Sequence, residues 1–413
     1  MTRSRIALLT ALGVDNFGSG LFLPVVLLYV TRVVGLPLAV AGTVVAVGTV
    51  AGLAVPPVAG RLVDRAGPRR VVIAAELVQA LGALTYLAAR GPAAVAIAAV
   101  LLAAGQQAFY SALFALIADV AGDGPKDHPY AVTGMVRSAC FGLGGLAAAA
   151  LLSWAGTGGY RVAVIVDAGS FAVCALLLAL LVRVPRPVRP GARARGAVPR
   201  GPWSDRPFLA LIVVTGLAAL SADFYLSGMS VYVLGELHAE PWLPGAALAL
   251  YTGLYSVGAT AALWATRRLR RTTAMAWGAA LLVVWCGISV AAVAIPAGWR
   301  AADLLAGTVV LAAAGLAFGV RVNALAEATA PARARGRYLA AFQYSFTVPG
   351  VMAPAVVALF SVAVWLPWLL VGAAAGVAVA ALRWLAGQLP ARALRPGPSV
   401  RPDDEARPSA AAA

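Results

Sequence analysis

The chain has 413 residues, 62% of them hydrophobic and 12% charged, with a formal net charge of +16. A soluble globule carries about a quarter charged residues, so most of this chain avoids water. The positive balance invites a nucleic-acid partner. The arginines, however, fall in short loops between apolar runs rather than on one basic face, which excludes that class.

The apolar material comes in runs long enough to cross a bilayer, which takes roughly 20 residues each. The runs are continuous rather than alternating, so they predict helices and not a barrel. Mean hydropathy is +0.87. Breaks between runs place spans at 6–31, 38–59, 71–89, 93–119, 130–153 and 160–183. A second set follows at 208–234, 244–266, 273–295, 301–326, 337–360 and 364–387. The first run is too long for the apolar core of a signal peptide and carries Asp15 and Asn16, so it reads as a membrane helix. Residues 1–183 thus form one six-helix bundle and 207–389 another. Between them, 184–206 is an Arg- and Pro-rich linker that cannot pack a core and is expected to lie flexibly against lipid head groups. The stretch 390–413 reads as a disordered tail for the same compositional reason.

Lys and Arg are distributed unevenly across the membrane. One side holds all of them except Arg32, Arg90, Arg161 and Arg300 on the other side, and Arg137 and Arg321 within helices. Positive charge marks the cytoplasmic side, so both termini and the linker are expected there. The fold class expected is an all-α membrane protein of twelve transmembrane helices in two pseudo-symmetric bundles. The bias toward Arg, Ala, Gly and Pro suits a GC-rich bacterial genome, and hence the bacterial plasma (inner) membrane.

The halves repeat at an offset of 208 residues (223 less 15). That offset aligns Asp15 with Asp223, Asp119 with Glu327 and Tyr130 with Tyr338. Six helices is an even number, so both copies share a direction. A parallel repeat of this kind places a transporter's central cavity between its halves.

The loop after the second span reads Gly60-Arg61-Leu62-Val63-Asp64-Arg65-Ala66-Gly67-Pro68-Arg69-Arg70. It resembles the G-x-L-x-D-R-x-G-R-R signature of the major facilitator superfamily, with Pro68 in place of a basic residue. Segments on spans 1 and 11, Asp15 to Pro24 and Arg335 to Gly350, are similar to multidrug-efflux members. The resemblance implies a conformational latch made by Gly60, Asp64, Arg65, Gly67, Arg69, Arg70 and Asp119. In it Asp64 meets the N-terminal end of span 11 near Gly336 to Tyr338, where the helix dipole favours an anion. Arg69 or Arg70 would reach Asp119. The sequence departs from the proton antiporters of the family at two places. Span 4 has Ala103-Ala104-Gly105-Gln106-Gln107 where an arginine is usual, and span 5 has no proline.

Ionisable residues inside the membrane are costly and mark functional sites. In the fold that the resemblance implies, spans 1 and 7 line the cavity, so Asp15 and Asp223 are the expected proton carriers. Such a carboxylate, desolvated as the cavity closes, could bind protons near neutrality. Arg137 and Arg321 are the available cations. Asn16, Gln106, Gln107, Tyr110, Tyr225, Tyr251, Tyr255, Asn323, Gln343 and Tyr344 would supply aromatic and polar walls for an amphipathic ligand. Asp167 is a further acid at depth, with Glu76 nearer the cytoplasmic end of span 3. Cys140, Cys174 and Cys286 sit in apolar runs as small packing residues. Glu236, His238 and Glu240 lie in a solvated loop and predict no metal. No nucleophile–base pair or nucleotide loop is present, so no enzyme and no cofactor is expected, and energy comes from a proton gradient.

The function expected is proton-coupled export of a small amphipathic or cationic compound by a monomer working through alternating access. A metabolite importer or uniporter of the same fold is one alternative. A non-transporting membrane sensor or assembly partner is another.

Overall fold

A computed structural model describes residues 3–122, 125–183, 201–240 and 242–395. The expected spans return within a few residues at most ends. Two of them are bent pairs: α1 is Arg3–Phe22 with Val26–Arg32, and α2 is Val40–Gly52 with Pro56–Ala66. The first bundle continues with α3 Pro68–Ala88, α4 Pro92–Ala121, α5 Asp127–Leu152 and α6 Gly158–Leu181. The second is α7 Arg206–Glu236, α8 Leu243–Ala265, α9 Arg271–Ala291, α10 Ala297–Thr329, α11 Ala332–Ser361 and α12 Leu366–Gln388.

Each bend has a local cause. The chain turns by 43° at the short turn Leu23–Val25, which contains Pro24, and by 43° just before Pro56. Proline removes a helical N–H and crowds the preceding turn. Between α5 and α6 the chain doubles back so tightly that a Cβ on Gly159 would lie 2.9 Å from the Leu151 carbonyl oxygen.

Inside each bundle small residues let backbones touch, as membrane helices require when lipid is as apolar as leucine. The contact of α1 with α5 is reciprocal. Gly20 abuts the Phe141 carbonyl and Gly144 abuts the Phe17 carbonyl, with no room for a Cβ at either glycine. The second bundle packs around aromatic rings. Phe224, Tyr232, Trp285 and Trp368 are all buried and meet edge to face, with Tyr232 and Trp368 centroids 4.8 Å apart.

Eight tryptophans, each more than half exposed, fall at two levels. Trp154, Trp242, Trp299 and Trp365 lie at one end of the helices; Trp203, Trp264, Trp277 and Trp384 lie toward the arginine-rich end. Two such girdles are what two membrane–water interfaces select.

Two composition-based expectations are corrected at their edges. Residues 184–200 and 396–413 lie outside the described residues, but 201–206 and 390–395 are ordered. Asp205 caps α7 by accepting from the Phe208 amide at 3.2 Å, and it also accepts from the Tyr338 hydroxyl at 3.1 Å. Ala391–Leu394 forms a short helix, α13, whose Ala393 and Leu394 are buried. Both edges carry apolar residues that reach the bundle, which their Pro- and Arg-rich neighbours obscured.

Candidate functional site: a central chamber closed at one face

Helices from both bundles enclose a chamber of about 730 Å³. Its inner end is buried, at Gln107, Ile117, Tyr130 and Gln343. Its other end is lined by Ala46, Thr49 and Val50 of α2 and by Gly350, Val351 and Pro354 of α11, all exposed. The chamber is therefore shut toward the arginine-rich face and open toward the opposite one.

Of the residues expected at the site, Gln106, Gln107, Tyr110, Arg137, Asn323 and Gln343 line the chamber. Phe114, Tyr130, Thr133, Phe346 and Thr347 join them. Of these only Tyr130 stands out in the sequence, as the repeat partner of Tyr338, because apolar and hydroxyl side chains on a membrane helix look alike whether they face lipid or a cavity. Thr347 donates across the floor to Gln107 Oε1 at 3.2 Å, joining α11 to α4.

Asp15 and Asn16 lie behind the wall rather than in it. Both are buried in α1, and Asn16 Nδ2 donates to Asp15 Oδ2 at 2.8 Å and to the Leu12 carbonyl at 2.9 Å. Asp15 makes no ion pair among the described residues, but Arg137, Glu76 and Asp167 all lie within electrostatic reach of it. Glu76 and Asp167 are fully buried. Cys174 Sγ contacts Glu76 Oε1 at 3.4 Å, while Glu76 Oε2 and both Asp167 oxygens have no hydrogen-bond partner among the described residues. Acids of α1, α3 and α6 thus converge inside the first bundle. Glu76 is deeper in protein than its place near the end of a span implied.

The second-half residues divide differently. Asp223 is half-buried and faces α11, with its carboxylate oxygens 3.9 Å from where a Cβ on Gly350 would sit. Several other expectations are corrected. Tyr225, Tyr251 and Tyr255 form a row of tilted ring contacts, at centroid distances of 5.1 and 4.7 Å, that runs to the seam between the bundles instead of lining the chamber. Tyr344 donates to the Leu53 carbonyl at 2.6 Å and so ties α11 to the bend of α2. Arg321 is also absent from the chamber. Its Nη1 pairs with Asp127 Oδ1 at 2.9 Å, and Nη2 donates to Thr266 Oγ1 at 2.9 Å. A periodicity argument gives the depth of these side chains but not the direction in which they leave the helix.

The closed face is held by charge. Asp64 Oδ1 accepts from the Gly336 amide at 2.7 Å, and Asp64 Oδ2 pairs with Arg337 Nε at 3.0 Å, so the acid caps the start of α11. Two glycines make that approach possible. A Cβ on Gly60 would lie 2.9 Å from Arg337 Cα, and one on Gly336 would lie 2.6 Å from Asp64 Oδ1. Gly67, at φ +86°, turns the chain between α2 and α3 in a conformation that favours glycine. Arg65 and Arg70 are exposed.

The expected partnership of Arg69 or Arg70 with Asp119 is corrected. Arg69 donates instead to the carbonyls of Leu178 at 2.9 Å and Ala179 at 2.5 Å, satisfying the last turn of α6. Asp119 is taken by Arg335 of the other half, which also pairs with Glu327 at 3.4 Å. A second clamp was missed altogether. Asp127, at the start of α5, receives Arg271 at 2.6 Å and Arg321 at 2.9 Å, and all three are buried. Arg271 also donates to the Ala393 carbonyl at 2.9 Å, which anchors α13. The internal repeat held the clue, because Asp127 and Arg335 stand at the same 208-residue offset (335 less 127) as Asp119 and Glu327.

Two six-helix bundles that meet around a largely apolar chamber with a few polar groups, latched at one face and open at the other, define a membrane transporter and not an enzyme. A family model described as Major Facilitator Superfamily matches residues 8–235, and the chain belongs to that superfamily. No curated protein matches it in sequence. Among solved structures it is similar to a bacterial homologue of the iron transporter ferroportin in an outward-facing state, at 16% identity and a TM-score of 0.77, over 94% of this chain and 100% of that one. It is also similar to the Escherichia coli fucose:proton symporter FucP, at 14% identity and 0.70, over 92% and 98%. The human organic anion transporter MFSD10 (TETRAN) gives 15% and 0.66, over 92% and 99%. Identities this low speak for the fold alone.

Proposed function

We propose that this protein is a proton-coupled secondary active transporter that carries a small amphipathic compound through the central chamber by rocking its two halves. The observation that carries the reading is Asp15. It is a buried carboxylate without an ion pair among the described residues, behind the chamber wall and within electrostatic reach of Arg137 on that wall. A permanent Asp–Arg brace would leave nothing to titrate. An acid held near a chamber cation without being locked to it can gain or lose a proton as the halves move.

The polar amides and the rings of Tyr110, Phe114 and Phe346 suit a ligand with an apolar body and a few hydrogen-bonding groups. The direction of transport then follows from the charge of the cargo. A cation would compete with the proton at Asp15 and leave in exchange, the export expected from the efflux-like segments on α1 and α11. An anion would favour the proton and travel with it. Iron is the cargo named for one structural neighbour. Among the described residues no group of three or more His, Cys, Asp or Glu is placed to hold a metal ion, so a metal cargo is not proposed here. The proposal includes a monomer in a bacterial plasma membrane, with the arginine-rich face and both termini cytoplasmic, supported by the uneven distribution of Arg.

The test is proton movement in proteoliposomes with a trapped pH-sensitive dye. Wild-type protein moves protons when a transported compound from an amphipathic panel is added. Asp15→Asn folds and inserts but moves none. Full proton movement by Asp15→Asn would remove Asp15 from the coupling.

A further inference from the structure

Arg137 is the one charged side chain among the described residues that line the chamber. No carboxylate lies within ion-pair distance of it among those residues, and its Nε is buried without a hydrogen-bond partner. It is nonetheless held in place. Its Nη2 donates to the Tyr110 hydroxyl at 2.5 Å, and its guanidinium carbon stands 4.8 Å over the Tyr110 ring. A guanidinium fixed at the wall of a chamber open at one end, with donors to spare, is a site awaiting a planar anion that it can grip at two points. The amide oxygens of Asn323 and Gln343 nearby are buried without partners among the described residues and could accept from a donor elsewhere on the same ligand.

We propose that the transported compound is an organic anion whose carboxylate or similar group docks on Arg137, and that proton and substrate travel in the same direction. The second half of this statement rests on the coupling role given to Asp15 above. An anion arriving at Arg137 adds negative charge near Asp15 and Glu76, both within electrostatic reach of the arginine, and Asp167 lies in turn within reach of Asp15. Negative charge there strengthens proton binding, and by linkage a bound proton strengthens anion binding equally. A proton on Asp15 also leaves Arg137 free for the ligand. A cationic cargo would meet the opposite sign at each step and would be repelled by the chamber's one charge.

The experiment uses the purified full chain in detergent and a panel of aromatic and alkyl carboxylates, each beside its amide and its methylamine analogue. Thermal stabilisation reads binding. The expected result is stabilisation by one or more carboxylates at concentrations about tenfold below those their amides need. Arg137→Gln loses that preference, Arg137→Lys keeps part of it, and Tyr110→Phe weakens it. In weakly buffered solution, at a pH where the ligand's own carboxyl is ionised, binding takes up protons from the medium, and Asp15→Asn binds without uptake. Stabilisation by amines alone, by no carboxylate in the panel, or undiminished in Arg137→Gln would overturn the substrate class. Proton release on carboxylate binding would overturn the shared direction. Carboxylate binding with no proton movement in wild type would leave the substrate class standing and defeat the coupling role of Asp15.

Discussion

Asp127 and Arg335 occupy equivalent places in the two halves, 208 residues apart (335 less 127), and carry opposite charges. Each reaches across to the other bundle. Asp127, at the start of α5, binds Arg271 and Arg321 of the second half, while Arg335, near the start of α11, binds Asp119 of the first. The duplication placed two ionisable groups at equivalent corners, and the halves close on each other because each finds opposite charge on the other bundle. With Asp64 capping α11, three ionic clusters hold one face of the chamber shut.

The Asp127 clamp is the most buried of the three, so it is the most sensitive to loss of a partner. Removing one member of a buried ion pair leaves the others uncompensated, at a cost of about 3–5 kcal/mol. Asp127→Ala should therefore lower the thermal midpoint and open the arginine-rich face. Maleimide labelling of Ala131→Cys, in a background lacking Cys140, Cys174 and Cys286, reports the opening. Ala131 is 5% exposed and packs with Ala259 and Leu316 across the interface, so labelling is slow in the parent and fast in Asp127→Ala.

The partners of Arg69 and Arg335 separate the motif expectation from the structure. Arg335→Gln should speed Ala131→Cys labelling severalfold, since Asp119 and Glu327 lose their shared cation. Arg69→Gln should leave labelling unchanged and lower the thermal midpoint, because it uncaps the end of α6. Equal labelling in the two variants would restore Arg69 to the latch.

Gly60 and Gly336 should tolerate no side chain while the face is closed. Gly336→Ala sets a methyl 2.6 Å from Asp64 Oδ1, and Gly60→Ala sets one 2.8 Å from Ala340 Cβ. Both variants should insert normally yet rest with the arginine-rich face open. Transport should fall by an order of magnitude or more, the loss expected when one of two alternating states is strongly disfavoured. Labelling and transport assays on the same preparation check both outcomes.

Tyr110→Phe removes the phenol that positions Arg137 but keeps the ring beneath it. Ligand affinity should fall roughly tenfold or more, in line with the loss of one hydrogen bond to a charged group. Titration of a stabilising ligand against wild type and variant measures it.

How much of this was legible in the sequence depends on which physical quantity each feature required. Span number and length need only hydropathy, and all twelve were readable, as was the meeting of Asp64 with α11, because the motif carries it. The bends at Pro24 and Pro56 fell inside continuous apolar runs, where proline leaves little mark on hydropathy. Arg321 reads in the sequence as a cation within a span, whereas its partners Asp127 and Thr266 stand at the ends of α5 and α8, in the closed face. Which way it points depends on where α5 and α8 pack, and no single-helix pattern encodes that. Asp127 stands beside Lys126 between two apolar runs, and only the convergence of α5, α9 and α10 makes it a buried hub. Glu76 and Asp167 likewise belong to helices far apart in sequence whose inward faces meet in space.

The central claim is that the halves rock about the chamber under the control of a proton at Asp15. Distances between spin labels on purified protein in lipid test it directly. One pair, Val40→Cys with Val362→Cys, spans the open end, and another, Arg61→Cys with Arg333→Cys, spans the arginine-rich face; all four positions are exposed. Across a pH titration the two distances should change in opposite senses, and Asp15→Asn should abolish that response. Distances that stay fixed in wild type, that lengthen together, or that respond undiminished in Asp15→Asn would contradict it.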